Sequence, residues 1–208
     1  MTQAPAEAVP TGNTYDKYGS RNPVVKRLMA GFHGALDELF ETAAPGSVLD
    51  VGCGEGVLTS EFADRVNGGR VVGIDLEDPK LQEEWEQRRR PNLEYRVEEA
   101  TSLSFANDEF EMATAIEVLE HVPQPERTLS EMARVARGWL LVSVPREPLW
   151  RMLNMARGAY WRSLGNTPGH INHWSKVGFV SLLQRYGKVE EVRSPFPWTM
   201  LLVRLDEH

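Results

Sequence analysis

VLDVGCGEGVLT, Val48 to Thr59, is the stretch that decides the fold. It opens as a short apolar run, turns through Gly52, Gly54 and Gly56, and continues into a segment where Leu58, Phe62 and Val66 recur at helical spacing. The reading is strand, glycine turn, helix. Without a Cβ, glycine takes left-handed torsions and lets a ligand lie directly against the backbone. Three glycines at alternate positions, in company with Asp50 and Glu55, predict a ligand loop rather than an ordinary tight turn. The pattern departs from the dinucleotide fingerprint G-x-G-x-x-G, which would require glycine at Val57. Glu55 also sets a carboxylate where a pyrophosphate would lie. An acidic loop suits a cofactor with a cationic end.

Working outward, Pro23 precedes a predicted helix, Val24 to Thr42, with Val25, Leu28, Met29, Phe32, Leu36, Leu39 and Phe40 as its apolar stripe. Its place just before the glycine strand puts it beside the cofactor. Upstream, residues 1–14 offer too little apolar surface to offset ordering entropy and read as a disordered tail. Tyr15 and Tyr18 read either as surface anchors or as part of a lid. Downstream, GGRVVGID is a second strand ending on Asp75, 19 residues past Gly56. That is close to the separation at which an α/β site places its acid on a ribose diol. Lys80 to Arg90 reads as a charged helix whose RRR end is a solvated terminus. Leu93 to Val97 is the third strand, followed by Glu98, Glu99, Ala100 and Thr101, where a polar residue would receive an adenine amine.

Phe110 to Ile116 reads as the fourth strand, and Glu117 to Val122 as a short helical turn stopped by Pro123. Glu117, Glu120 and His121 would then project near the cofactor. A helix from Glu126 to Arg137, closed by Gly138, leads to a fifth strand, Trp139 to Pro145. A helix from Lys176 to Arg185 and two β-like runs, Lys188 to Arg193 and Trp198 to Leu205, complete the pattern. The predicted fold class is α/β: a Rossmann-like, doubly wound, seven-stranded and mostly parallel sheet in three layers, forming a single domain. Its parts are the tail 1–14 and a main domain 15–208, comprising an N-terminal lid and helix (15–45), a cofactor core (46–145), a substrate-lid insertion (146–175) and a closing helix and strand pair (176–208).

The chain has 208 residues, room for one respectable core, and a formal charge of -7 that argues against a nucleic-acid partner. Cys53 is the single cysteine, so no intrachain disulfide forms and a reducing cytosol fits. The N-terminal residues lack the apolar block of a signal peptide, and no apolar run approaches the roughly 20 residues of a spanning helix. The expectation is a soluble, cytoplasmic protein. Residues 146–165 carry four arginines against one glutamate, together with Trp150, Met152, Met155, Tyr160 and Trp161. This insertion reads as a substrate lid, a dimer contact or an interfacial helix. NTPGHINHWS then gathers His170, His173 and Trp174 on an irregular loop.

VLDVGCGEG, VVGIDL, EEATSLSF and FEMATAIEVLEHV, in that order, resemble the motif series of class I S-adenosylmethionine-dependent methyltransferases. The likeness is closest from Ser47 to Pro145, and within the family it is to the small-molecule branch that includes quinone-biosynthesis methyltransferases. The resemblance implies S-adenosylmethionine as cofactor and S-adenosylhomocysteine as product. It implies that Gly52, Cys53 and Gly54 line the methionine part and that Asp50 helps hold its amino group. Asp75 would take the ribose hydroxyls and Leu76 would touch adenine. Glu99, Ala100 and Thr101 would lie near the adenine edge, with Ile116 and Glu117 bordering the sulfonium. Cys53 is read as small and packed, not nucleophilic. Some members bind a divalent metal through a trio matching Glu117, Glu120 and His121; cap and packing roles are preferred here and no metal is assigned.

Methyl transfer from a sulfonium needs an electron-rich acceptor held in line. For a hydroxyl acceptor, His170, His173 and His121 are the candidate bases, since imidazole titrates near neutrality. His170 and His173 are favoured because their loop follows the fifth strand, on the side where a doubly wound sheet binds ligands. The expected activity is transfer of a methyl group to a small molecule, a hydroxyl of a hydrophobic or aromatic metabolite, by a monomer or homodimer. Two other readings stand beside it: a catalytically silent cofactor-binding subunit and a nicotinamide oxidoreductase.

Overall fold

The computed structural model describes residues 22–66, 68–156 and 158–206. The tail 1–14, Tyr15 and Tyr18 lie outside the described residues. The first helix, α1 (Pro23–Ala43), starts where Asn22 accepts a hydrogen bond from the Val24 N–H at 2.9 Å and Pro23 pre-sets the first helical torsion. It ends at Ala44 in left-handed conformation. Then come β1 (Val48–Val51), α2 (Val57–Arg65), β2 (Val71–Asp75), α3 (Pro79–Gln87), β3 (Leu93–Val97) and β4 (Phe110–Ile116). The remainder is α4 (Pro125–Val135), β5 (Ala136–Pro145), α5 (Leu149–Ala156), a single 3₁₀ turn (Trp161–Ser163), α6 (Lys176–Leu183), β6 (Gly187–Arg193) and β7 (Trp198–Leu205).

The strands form one seven-stranded sheet in the order β3-β2-β1-β4-β5-β7-β6. The pairs from β3 through β5 are parallel, while β7 runs antiparallel to both β5 and β6. Because successive residues of a strand face opposite ways, the inner strands β1, β2, β4, β5 and β7 each feed two cores. Val48, Val71, Met112, Leu141 and Leu202 face α1 and α2, packing on Phe32, Leu36, Leu39, Phe40 and Phe62. Leu49, Val72, Ala113, Leu140 and Val203 face α4 and α6, packing on Leu129, Met132, Phe179 and Leu183. The chain winds outward from β1 to β3 and returns to the other side of β1 with β4. That reversal opens a crevice beyond the carboxyl ends of β1 and β4, where sheets of this kind bind ligands.

Two boundaries differ from the sequence expectation. Gly138 does not close a helix: the fourth helix stops at Val135 and Gly138 lies inside β5. A Cβ there would stand 2.7 Å from the Glu111 carbonyl oxygen, so this glycine serves a close strand contact. Residues 117–122 form a bend and turn instead of a helical turn, since Glu117 sits at φ 61°. Among the described residues, no helix is long and apolar enough to cross a membrane.

Candidate functional site

The loop from Gly52 to Gly56 hangs from the neighbouring strand. The N–H groups of Gly52 and Cys53 both donate to the Ile74 carbonyl, at 2.8 and 2.9 Å. Gly52, Gly54 and Gly56 all have positive φ. A Cβ on Gly52 would come within 2.6 Å of Val118, so the loop lies directly against the turn after β4. Gly54 is different: the side where its Cβ would project is open for 4 Å. Behind the loop, Trp85 of α3 donates its indole N–H to the Gly54 carbonyl at 2.7 Å, and the Tyr95 hydroxyl donates to the Gly56 carbonyl at 3.1 Å. The two rings stack, 5.2 Å apart.

Asp75, at the carboxyl end of β2, meets the loop face on. It accepts from the Gly54 N–H at 2.7 Å and from the Leu76 N–H at 2.7 Å. Burial pushes its carboxyl up from the ordinary value, and those two N–H groups hold it back. Leu76 beside it is exposed. Asp50 lies deeper, 3% exposed, with Thr59 donating to one oxygen at 2.7 Å and Thr114 to the other at 2.6 Å. Burial pushes it to about 6 against those hydroxyls. Cys53 is partly buried, and desolvation pushes its thiol up. Glu99 is exposed, Ala100 packs on the core and the Thr101 carbonyl accepts from Arg127 at 2.9 Å.

The Asp50 environment gives a pH prediction. Its pKa in the folded chain lies above the ordinary value of 3.8, so folding favours the neutral form. The associated stability is present below about 3.8 and lost as pH rises through about 6. Wild type measured against Asp50→Asn, by urea unfolding, should therefore gain about 2 kcal/mol between pH 7 and pH 4. A flat difference curve would refute it.

Past β4 the chain turns toward the other half of the crevice. Glu117 accepts from the Trp198 indole N–H at 2.6 Å and from the Ser143 hydroxyl at 3.1 Å. Its left-handed backbone is unusual for a residue with a side chain, and such torsions cluster at functional sites. Ile116 packs into the core facing α1. Trp198 meets Phe32 of α1 edge to face at 4.9 Å and Trp150 of α5 at 5.9 Å. Trp150 in turn lies 6.0 Å from the His170 ring, and His170 meets His121 at 4.8 Å. The result is an aromatic wall with carboxylates and imidazoles at its edge.

Of the three candidate histidines, the structure brings two together. Ligand atoms of Glu120, His121 and His170 lie within 4.8 Å of one another. His173 stands apart, exposed, with its Nε2 at 2.7 Å from Asn166 Oδ1. Glu147, at the start of the insertion, is pushed up by burial and partly held down by His173. Sequence reasoning did not reach Trp85, Tyr95, Trp150 as a site wall, Trp198 or Asn172. Only Trp150 and Trp198 carried a signal, as large amphipathic rings near the ends of β5 and β7.

Residues 25–188 match the methyltransferase domain family. The chain is 29% identical over 152 residues to the ubiquinone biosynthesis O-methyltransferase of Methylococcus capsulatus, covering 64% of this chain and 62% of that one. It is 41% identical over 111 residues to the same-named protein of Hahella chejuensis, covering 49% and 44%. The chain thus spans less than two thirds of the length of these curated relatives. In fold it resembles the magnesium protoporphyrin IX methyltransferase of Synechocystis with bound S-adenosylhomocysteine, at TM-score 0.67, 19% identity and 90% coverage of both chains.

Proposed function

The chain belongs to the methyltransferase domain family, and from that premise we propose that it transfers the methyl group of S-adenosylmethionine to a hydroxyl of a small hydrophobic or aromatic acceptor. The observation that carries the proposal is the union of an acidic glycine loop and an aromatic wall across one crevice, joined where Val118 packs on Gly52. The residues present fit this cofactor. Asp75 is fixed by two N–H groups yet keeps lone pairs for a diol, Gly54 opens on free space, and Asp50, Glu55 and Asp75 give the loop the charge a cation needs.

When bound, S-adenosylmethionine supplies a methyl group already activated by its positive sulfur. Asp75 holds the ribose hydroxyls, with Leu76, Glu99, Ala100 and Thr101 at the adenine edge. Gly52, Cys53 and Gly54 line the methionine end, Asp50 sets the loop beneath it, and Ile116 and Glu117 border the reacting end. Trp150, backed by the buried rings of Phe32 and Trp198, excludes water and holds a flat acceptor. The segment 146–175 covers it. His173 takes the acceptor proton, while His170 and His121 form the polar end of the wall. The names of the O-methylating relatives support oxygen as the methylated atom. The net charge supports an acceptor other than nucleic acid. We place the reaction in the cytoplasm, in a monomer or homodimer.

The test is formation of S-adenosylhomocysteine by the purified chain with a panel of catechols, phenols and hydroxylated quinones. His173→Ala should lower kcat about 100- to 10,000-fold and leave cofactor affinity unchanged. Tight cofactor binding with no turnover on any acceptor would favour a silent subunit and defeat the proposal.

A further inference from the structure

We infer that the groove between the first turns of α1 and the loop joining β6 to β7 is a binding site for a small amphiphilic anion, an apolar chain or ring that ends in a carboxylate. Pro23, Val24, Arg27, Leu28 and Gly31 line it from the helix, and Phe196 lines it from the loop. Its volume is 460 Å³, within the roughly 300–1,000 Å³ of small-molecule sites. Positions 24, 27, 28 and 31 share one face of α1, so a single helix shapes most of the groove. Val24 and Phe196 leave much of their apolar surface open, 64% and 44%.

Gly31 gives the groove its depth. A glycine inside a helix weakens it, and neither backbone nor packing asks for one here. Its φ is not positive, and no heavy atom lies within 4 Å of the place where its Cβ would stand. What the missing side chain leaves is room beside Leu28 and Phe196.

Charge selects the end group. The first turn of α1 holds no acid, and Lys26 and Arg27 follow directly, the reverse of what suits a helix N-terminus. Among the described residues neither side chain forms an ion pair. The positive end of the helix and the Arg27 guanidinium thus act together beside an apolar surface. A carboxylate on an apolar body matches both. Six lining residues are also far fewer than the roughly 20–30 a side of a stable protein interface, which favours a small molecule. The groove neighbours the aromatic wall: Phe32 follows Leu28 by one turn of α1, Trp198 follows Phe196 by two residues, and those two rings meet at 4.9 Å.

The test uses the full chain with no cofactor or acceptor present, so its outcome is independent of the methyl-transfer reading. Phenylbutyrate is titrated by NMR, with phenylbutanol and phenylbutylamine as the uncharged and cationic comparisons. Phenylbutyrate should bind saturably with Kd of about 2 mM or tighter, as ordinary ligand efficiency gives for roughly a dozen heavy atoms. The shifted amides should cluster at Val24 to Gly31 and at Phe196. Phenylbutanol should bind about 2- to 5-fold more weakly, the range for a solvent-exposed ion pair, and Arg27→Gln should erase that difference. Phenylbutylamine should bind more weakly still. Gly31→Leu should abolish saturable binding while raising the melting temperature, because leucine there replaces a helical glycine in open space. Equal affinity of wild type for the acid and the alcohol would overturn the proposal, as would binding retained in a folded Gly31→Leu chain. So would absence of binding by wild type: a lower melting temperature of Gly31→Leu would then assign the groove to the chain's own residues before 22, and a changed sedimentation mass would assign it to a second copy.

Discussion

Asp75→Ala should weaken binding of S-adenosylhomocysteine about 10- to 150-fold, read by calorimetry. The size follows from charge-assisted hydrogen bonds to a ribose diol, worth roughly 1.5–3 kcal/mol, which convert to that range of affinity. Geometry adds to the direct loss. The same carboxylate accepts from the Gly54 N–H at 2.7 Å, so alanine also frees the glycine loop. Asp75→Asn separates the two contributions: its amide oxygen still accepts from Gly54, but the charge is gone. It should fall between wild type and alanine. Equal affinity in all three proteins, each melting as a folded chain, would remove Asp75 from the cofactor site.

Phe62→Ala should cost about 3–5 kcal/mol of folding stability, as deletion of a fully buried ring does. Phe62 is 1% exposed and stacks on Phe40 with centroids 4.9 Å apart and planes 4° from parallel. The pair joins α2 to α1, and α1 carries Phe32 to Trp198 on the aromatic wall. A double-mutant cycle with Phe40→Ala should return a coupling of about 0.5–1.5 kcal/mol, measured by urea unfolding. Strict additivity would mean that the rings fill space independently and do not fix the helix.

The strands were legible because each is a short apolar run bounded by turn residues; β3, β4 and β7 begin and end where periodicity and β-branched content place them. Gly138 was misread because a glycine after a helical stripe looks like a helix end, while its true reason is the Glu111 backbone across the sheet. Local spacing cannot report such a neighbour. The glycine loop and Asp75 were visible because both sit at fixed offsets from a strand. The grouping of His170 with Glu120 and His121 was not, since it depends on two loops meeting through backbone hydrogen bonds. Likewise the spacing of Glu117, Glu120 and His121 assumed a helix that the left-handed torsion at Glu117 breaks. Trp85 and Tyr95 carry no signal at their positions in the sequence; the folded chain shows them carrying the loop from behind.

The antiparallel β7 sits between β5 and β6 although it follows both in the chain. A ribosome therefore delivers β6 before its only lateral neighbour exists, and β5 stands for a time as an unpaired rim. The sheet is completed from within, between two strands made earlier, and the Trp198 indole that meets Glu117 belongs to the last of the seven strands to be synthesised. The aromatic half of the site is thus translated after the glycine half.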